Sequence, residues 1–100
     1  MSTIYGKKLR LIRIAEGLTQ MQMRDLTGIS LGSIKGYETG REVGLSIIER
    51  IVSHTLFQKY TLWLMTGETA EKAGQVAPKG AEELIESEES NAVDGKQLRY

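Results

Sequence analysis

Residues 18–41 read LTQMQMRDLTGISLGSIKGYETGR, and the spacing within this stretch decides the fold. Thr19 followed three residues later by Gln22 is a capping-box pattern, which predicts a helix starting there with Met23 and Leu26 on its inner side. Gly28 ends that helix, because glycine adopts the left-handed conformation of a helix C-terminus without a Cβ penalty. Ser30 then caps a second helix. Ile34 and Tyr37, three apart, give it an apolar inner stripe, while Leu31, Gly32, Lys35 and Gly36 fall on other sides. The expected unit is two short helices crossing at a tight glycine turn.

Working outward, apolar periodicity predicts helices over residues 4–16, 19–27, 30–39, 46–55 and 57–66. Gly17, Gly28, Gly40 and Gly67 stand just past four of them, where a terminating glycine belongs. Ser46 with Glu49 predicts a second capping box, and Ile47, Ile48, Ile51 and Val52 form the buried side of that helix. The stretch containing Leu56, Phe57, Tyr60, Leu62, Trp63, Leu64 and Met65 is too apolar for one face of a short helix. A second apolar side calls for a partner, so Phe57, Tyr60, Leu62, Trp63, Leu64 and Met65 are the expected contacts of a homodimer.

A chain of 100 residues forms one domain with a single core. Its zero net charge hides a split: residues 1–67 carry nine Lys/Arg against five Asp/Glu, and residues 68–100 carry four against eight. A basic body joined to an acidic tail hints at polyanion contact by the basic half. The tail is poor in aromatic residues and is expected to be mostly flexible. Two exceptions are foreseen: Gln75, Val76 and Ala77 pairing as a strand with the same segment of a partner subunit, and transient helix over residues 81–88. With no cysteine, disulfides, cysteine zinc sites and thiol nucleophiles are excluded. Near the N-terminus the apolar residues are interrupted by Lys7, Lys8, Arg10 and Arg13, which gives no export or membrane segment and predicts a soluble protein.

Leu18, Thr19 and Gln20 opening one helix, Gly28, Ile29 and Ser30 at the turn, then Ile34, Tyr37, Glu38 and Gly40, together resemble the Xre/Cro-type helix-turn-helix of phage repressors. Leu9, Ile12 and Arg13 fit that family's first helix and the run Trp63, Leu64, Met65, Thr66, Gly67 its fifth, so the resemblance covers residues 9–67 without a gap. A closer resemblance, to the short C immunity repressors of temperate peduvirus-type coliphages, is carried by DLTG at 25–28, KYTLW at 59–63 and GQVAP at 74–78. Arg24 departs from the family, which usually has alanine at this close helix crossing; its stem is expected to lie over the crossing with the guanidinium turned outward.

The resemblance implies an all-α, five-helix DNA-binding domain over residues 1–67, with the acidic tail over 68–100. It implies a dimeric transcriptional repressor that holds a double-stranded DNA operator at an early lytic promoter, maintains lysogeny in the host cytoplasm and acts on directly repeated half-sites. It also implies a phosphate contact from Gln20 and a buried ion pair between Arg13 and Glu38. An antitoxin that represses its own promoter, and a protein-interaction adaptor that has lost DNA binding, are the alternatives.

Within this frame Gln20 lies in the first turn of its helix, where free amides and the helix dipole favour an anion. Ser30, Leu31, Gly32, Ser33, Lys35 and Gly36 form the expected reading surface in the major groove. That surface is chemically thin. Leu31 suits a thymine methyl, Ser30 and Ser33 a base or phosphate, and Lys35 guanine or phosphate, but no Arg, Asn or Gln stands there for bidentate readout. Gly32 and Gly36 point either to close approach of the backbone to DNA or to simple tolerance in a packed helix. Thr39 and Arg41 are expected to add phosphate contacts, with Arg10 and Lys35 as further candidates.

His54 has no companion ligand, and the acid pairs Glu82 with Glu83 and Glu88 with Glu89 lack the rigid setting of acid-base catalysis. Met21 and Met23 are expected as core or near-core fillers rather than a metal or partner site. No enzyme activity, metal, cofactor, membrane partner or small-molecule substrate is foreseen.

Overall fold

Thr19 and Gln22 cap one another as their spacing predicts: the Gln22 amide donates to Thr19 Oγ1 at 3.0 Å and the Thr19 amide to Gln22 Oε1 at 2.8 Å. The helix they open, α2 (Gln20–Thr27), ends at Gly28, whose φ of 76° turns the chain. Ser30 Oγ accepts the Ser33 amide at 3.1 Å and opens α3 (Leu31–Glu38). In this computed structural model, which describes residues 3–82, the pair is framed by α1 (Thr3–Ala15), α4 (Leu45–Val52) and α5 (Thr61–Thr66). Two single 3-10 turns, Gln58–Tyr60 and Glu71–Ala73, complete the described elements, and an antiparallel bridge joins Ala70 to Gln75. Among the described residues the architecture is all-α with five α-helices.

Leu9 and Ile12 of α1, Met23 of α2, Ile34 and Tyr37 of α3, Ile48 and Ile51 of α4, and Phe57, Trp63 and Leu64 meet in one core. Each such side chain, fully buried, contributes about 1.5–3 kcal/mol by leaving water. Lys8 ties α1 to the end of α5: its ammonium donates to the carbonyls of Trp63 at 3.0 Å and Leu64 at 3.1 Å and lies 4.9 Å from the indole centroid. It thereby satisfies the Leu64 carbonyl, one of those a helix C-terminus leaves orphaned, and adds a second donor to the Trp63 carbonyl, which also accepts the Gly67 amide. On the other side of the core, Tyr60 donates its hydroxyl proton to Glu16 Oε2 at 2.5 Å, and Lys59 Nζ approaches the same oxygen at 3.0 Å.

Several expectations are corrected. Leu26 is exposed, and Thr27 takes the inner position instead, because its hydroxyl is satisfied locally by donating to the Met23 carbonyl and accepting from the Ile29 amide. Met21 is 54% exposed rather than a core filler. Gly44, not Ser46, caps α4, with no side-chain hydrogen bond, so the second capping box does not form. Arg24 is half-exposed, and its guanidinium pairs at 2.9 Å with Oδ1 of the exposed Asp25.

The predicted helix over 57–66 is broken by the first 3-10 turn before α5 begins. That change of pitch swings Phe57 and Tyr60 into the same core as Trp63 and Leu64, so these four, expected at a dimer contact, are buried in their own chain. Leu62 and Val76 keep partial exposure and Met65 is exposed.

The chain after Gly67 folds back as far as residue 82, contrary to the expectation of a flexible tail there. Ala81 joins the core and Pro78 is buried. Val76 donates its amide to the Lys59 carbonyl at 2.8 Å, so the segment expected to exchange between subunits pairs within its own chain. Gln75 does more: its Oε1 accepts the Leu62 amide at 2.9 Å and its Nε2 donates to the Gln58 carbonyl at 3.1 Å, capping α5 from a distance. Ala81 and Glu82 are helical; the rest of the predicted 81–88 helix, with Glu83, Glu88 and Glu89, lies outside the described residues.

Candidate nucleic-acid interface

The last turn of α1, the first turn of α2 and the end of α3 converge on one carboxylate. Glu38, with only 3% of its side chain exposed, receives Arg13 Nε on Oε2 at 2.8 Å and Arg13 Nη2 on Oε1 at 3.0 Å. Arg13 Nη1 also donates to the Leu18 carbonyl at 2.8 Å. This is the expected ion pair joining α1 to α3, and its hydrogen bonds hold the Arg13 pKa above the ordinary arginine value despite opposing burial. Removal of either partner would strand the other in the core.

Gln20 enters the same cluster, donating Nε2 to Glu38 Oε1 at 2.9 Å. A carboxylate only accepts, so this contact fixes which end of the amide faces inward, and it leaves Gln20 a second N–H and its carbonyl for other partners. Arg10 stands at the rim, its Nε 3.9 Å from Glu38 Oε1 and its side chain 55% exposed. The α2 N-terminus, Gln20 and Arg10 therefore present donors and positive charge around one buried anion.

Along α3 the expected reading residues divide by environment. Gly32 is exposed with open space around it, Lys35 is exposed, and Leu31 and Ser33 are half-buried. Ser30 Oγ donates to Ser33 Oγ at 3.0 Å while accepting the Ser33 amide, so both hydroxyls serve the helix start first. Thr39 Oγ1 donates to the Lys35 carbonyl at 2.8 Å and closes the other end of α3.

Gly36 is buried, and Arg41 covers it. A Cβ at position 36 would meet Arg41 Cζ and Nη1 at 3.2 Å and Nε at 3.3 Å, so the guanidinium lies across the bare backbone of the helix. Gly40, at φ 119°, makes the return possible, and the Arg41 amide closes it by donating to the Gly36 carbonyl at 2.9 Å. Gly36 thus lies beneath the Arg41 guanidinium, whereas Gly32 stands in open space. The sequence signal for this seat was a side-chain-free position followed five residues later by an arginine, with a turn glycine between.

His54 caps locally, its Nδ1 accepting the Leu56 amide at 3.1 Å with its ring 5.3 Å from that of Phe57. Among the described residues no three His, Asp or Glu side chains are arranged to hold a metal ion, and no helix is long and apolar enough to cross a membrane.

The family model described as a helix-turn-helix domain matches residues 4–58. The chain is also similar to Repressor protein C of Escherichia phage P2, with 39% identity over 79 residues that cover 78% of this chain and 80% of that protein.

Proposed function

The chain belongs to the helix-turn-helix domain family, of the Xre/Cro type, and on that premise we propose that it is a sequence-specific DNA-binding transcriptional repressor of a temperate phage. The observation that carries this reading is α3, capped at both ends and anchored by Ile34 and Tyr37, with Gly32 and Lys35 left on its uncovered flank. A helix held from behind in this way enters the major groove with its N-terminal half toward base edges. Gln20, braced by Glu38, offers its remaining amide proton to a phosphate together with the α2 N-terminus. Leu31, Ser33 and Lys35 face the bases, and Thr39 and Arg41 lie at the far end of α3.

The protein acts as a homodimer in the host cytoplasm on an operator overlapping an early lytic promoter, where its occupancy excludes RNA polymerase. Of the apolar residues expected at the dimer contact, Leu62, Met65 and Val76 remain available on the surface. Coupling two readers raises the effective concentration of the second on its half-site.

The test is a band shift with duplexes drawn from the DNA flanking the gene, repeated across a salt series. Binding at low salt that falls linearly on logarithmic axes as salt rises is the expected result, since phosphate contacts release counterions. Absence of any shift at low salt rejects the reading in favour of a protein-interaction adaptor.

A further inference from the structure

The reading helix lacks what a reading helix most needs. Of the side chains on α3, none is Arg, Asn or Gln, the types that make paired hydrogen bonds to a purine edge. Arg41 lies outside the helix in sequence but not in space. Its Cζ, Nη1 and Nε are all 3.2–3.3 Å from one point, the place where a side chain at position 36 would begin. Three guanidinium atoms equidistant from that point set the plane flat over Gly36 rather than end-on.

Gly32, one helical turn earlier on the same side, has nothing within 4 Å of its own Cβ position, so the strip ahead of the guanidinium is bare. Among the described residues the Arg41 side chain makes no hydrogen bond or ion pair, so its donor fork is uncommitted. A group lying on the backbone of α3 travels into the groove with α3, unlike one extended sideways toward the phosphates.

We propose that Arg41 is a specificity-determining residue, seated on the side-chain-free strip of α3 so that its guanidinium reads a guanine through O6 and N7 in the major groove. This rests on the DNA-binding function proposed above and goes beyond it by giving Arg41 a base rather than a phosphate. The planar fork matches the two acceptors of guanine, which a lysine ammonium cannot engage in the same paired geometry.

The experiment uses the full chain and duplexes it enriches from a random-sequence pool. In the enriched duplex each guanine is replaced in turn by 7-deazaguanine, which removes only the N7 acceptor. The wild type is expected to lose affinity about ten-fold at one guanine. Arg41→Ala and Arg41→Lys are expected to bind the natural and modified duplexes equally and to accept other base pairs at that position. Arg41→Lys should also keep the wild-type salt slope.

If Arg41→Ala instead weakens every duplex by one factor and lowers the salt slope by about one, the residue is a phosphate contact and the proposal is overturned. Wild-type binding to duplex without enrichment of any sequence overturns the Arg41 assignment while leaving DNA binding intact. No binding to any duplex at low salt overturns both.

Discussion

Gly6 of α1 rests directly on the main-chain carbonyl of Tyr37 in α3: a Cβ at position 6 would overlap the carbonyl oxygen and stand 2.9 Å from its carbon. The obstacle is backbone, which cannot rotate aside. Gly6→Ala is therefore expected to push α1 off α3 and to destabilise the protein by about 2–3 kcal/mol. Thermal melting should show the midpoint lowered by about 10 °C or more. Gly32→Ala, in open space on a helix, should act in the opposite direction and stabilise by about 0.5–1 kcal/mol. A Gly6→Ala protein that melts with the wild type would show that the two helices are not held at this crossing.

The Gln20 amide and the Glu38 carboxylate meet at 2.9 Å, and the contact tolerates only a donor on the Gln20 side. Gln20→Glu sets a second carboxylate against a buried one and is expected to lower both stability and DNA affinity, whereas Gln20→Ala lowers DNA affinity with little loss of stability. Both should weaken all duplexes alike, while Leu31→Ala should change preference among them. Titrations against a duplex panel, paired with urea melts, separate these outcomes; a Gln20→Glu chain as stable as Gln20→Ala contradicts the assignment.

Stability should decline at both ends of the pH scale. The Tyr60 hydroxyl and the Lys59 ammonium hold the Glu16 carboxyl below its ordinary value of 4.5, so its contribution is present above that pH and is lost as acid protonates it in the folded state. Burial, and for Tyr60 the neighbouring Glu16, pushes the hydroxyls of Tyr37 and Tyr60 above their ordinary value of 10.0. Their contribution is complete below pH 10.0 and is lost as alkali ionises them first in the unfolded chain. Urea midpoints measured across this range should form a plateau with two shoulders. Tyr60→Phe should flatten both, and unchanged shoulders in that variant would refute the Glu16 coupling.

Gln75→Ala removes the cap on the Leu62 amide and the donor to the Gln58 carbonyl, and is expected to destabilise by about 1 kcal/mol. Truncation after Gly67 should be worse, because it also strips Val76, Pro78 and Ala81 from the body. Denaturant melts of the two proteins give the order directly; equal stability of the truncated and full chains would mean that the folded-back segment adds nothing.

Local chemistry was legible in the sequence, and long-range geometry was not. Thr19, Gln22, Gly28 and Ser30 act within a few residues of themselves, so their spacing alone located α2, the turn and α3. The Arg13 to Glu38 pair was reached through resemblance to known repressors, since 25 positions separate its members. Ser46 misled because Gly44, two residues earlier, starts α4 by backbone conformation alone. The apolar run from Leu56 to Met65 looked two-sided only if it were one regular helix; a single 3-10 turn reconciles it with one core. The bonds of Gln75 to residues 13 and 17 positions away, and the seating of Arg41 on Gly36, leave no periodic trace.

Trp63 is the sole tryptophan of the chain, and it is 2% exposed beneath the Lys8 ammonium on the α1 and α5 side of the core. Nature has thus installed a single fluorophore in the interior. Its emission will follow opening of the hydrophobic centre during unfolding but stay quiet when a duplex docks against α3, so one optical signal can measure stability in the presence of DNA without confusion from occupancy.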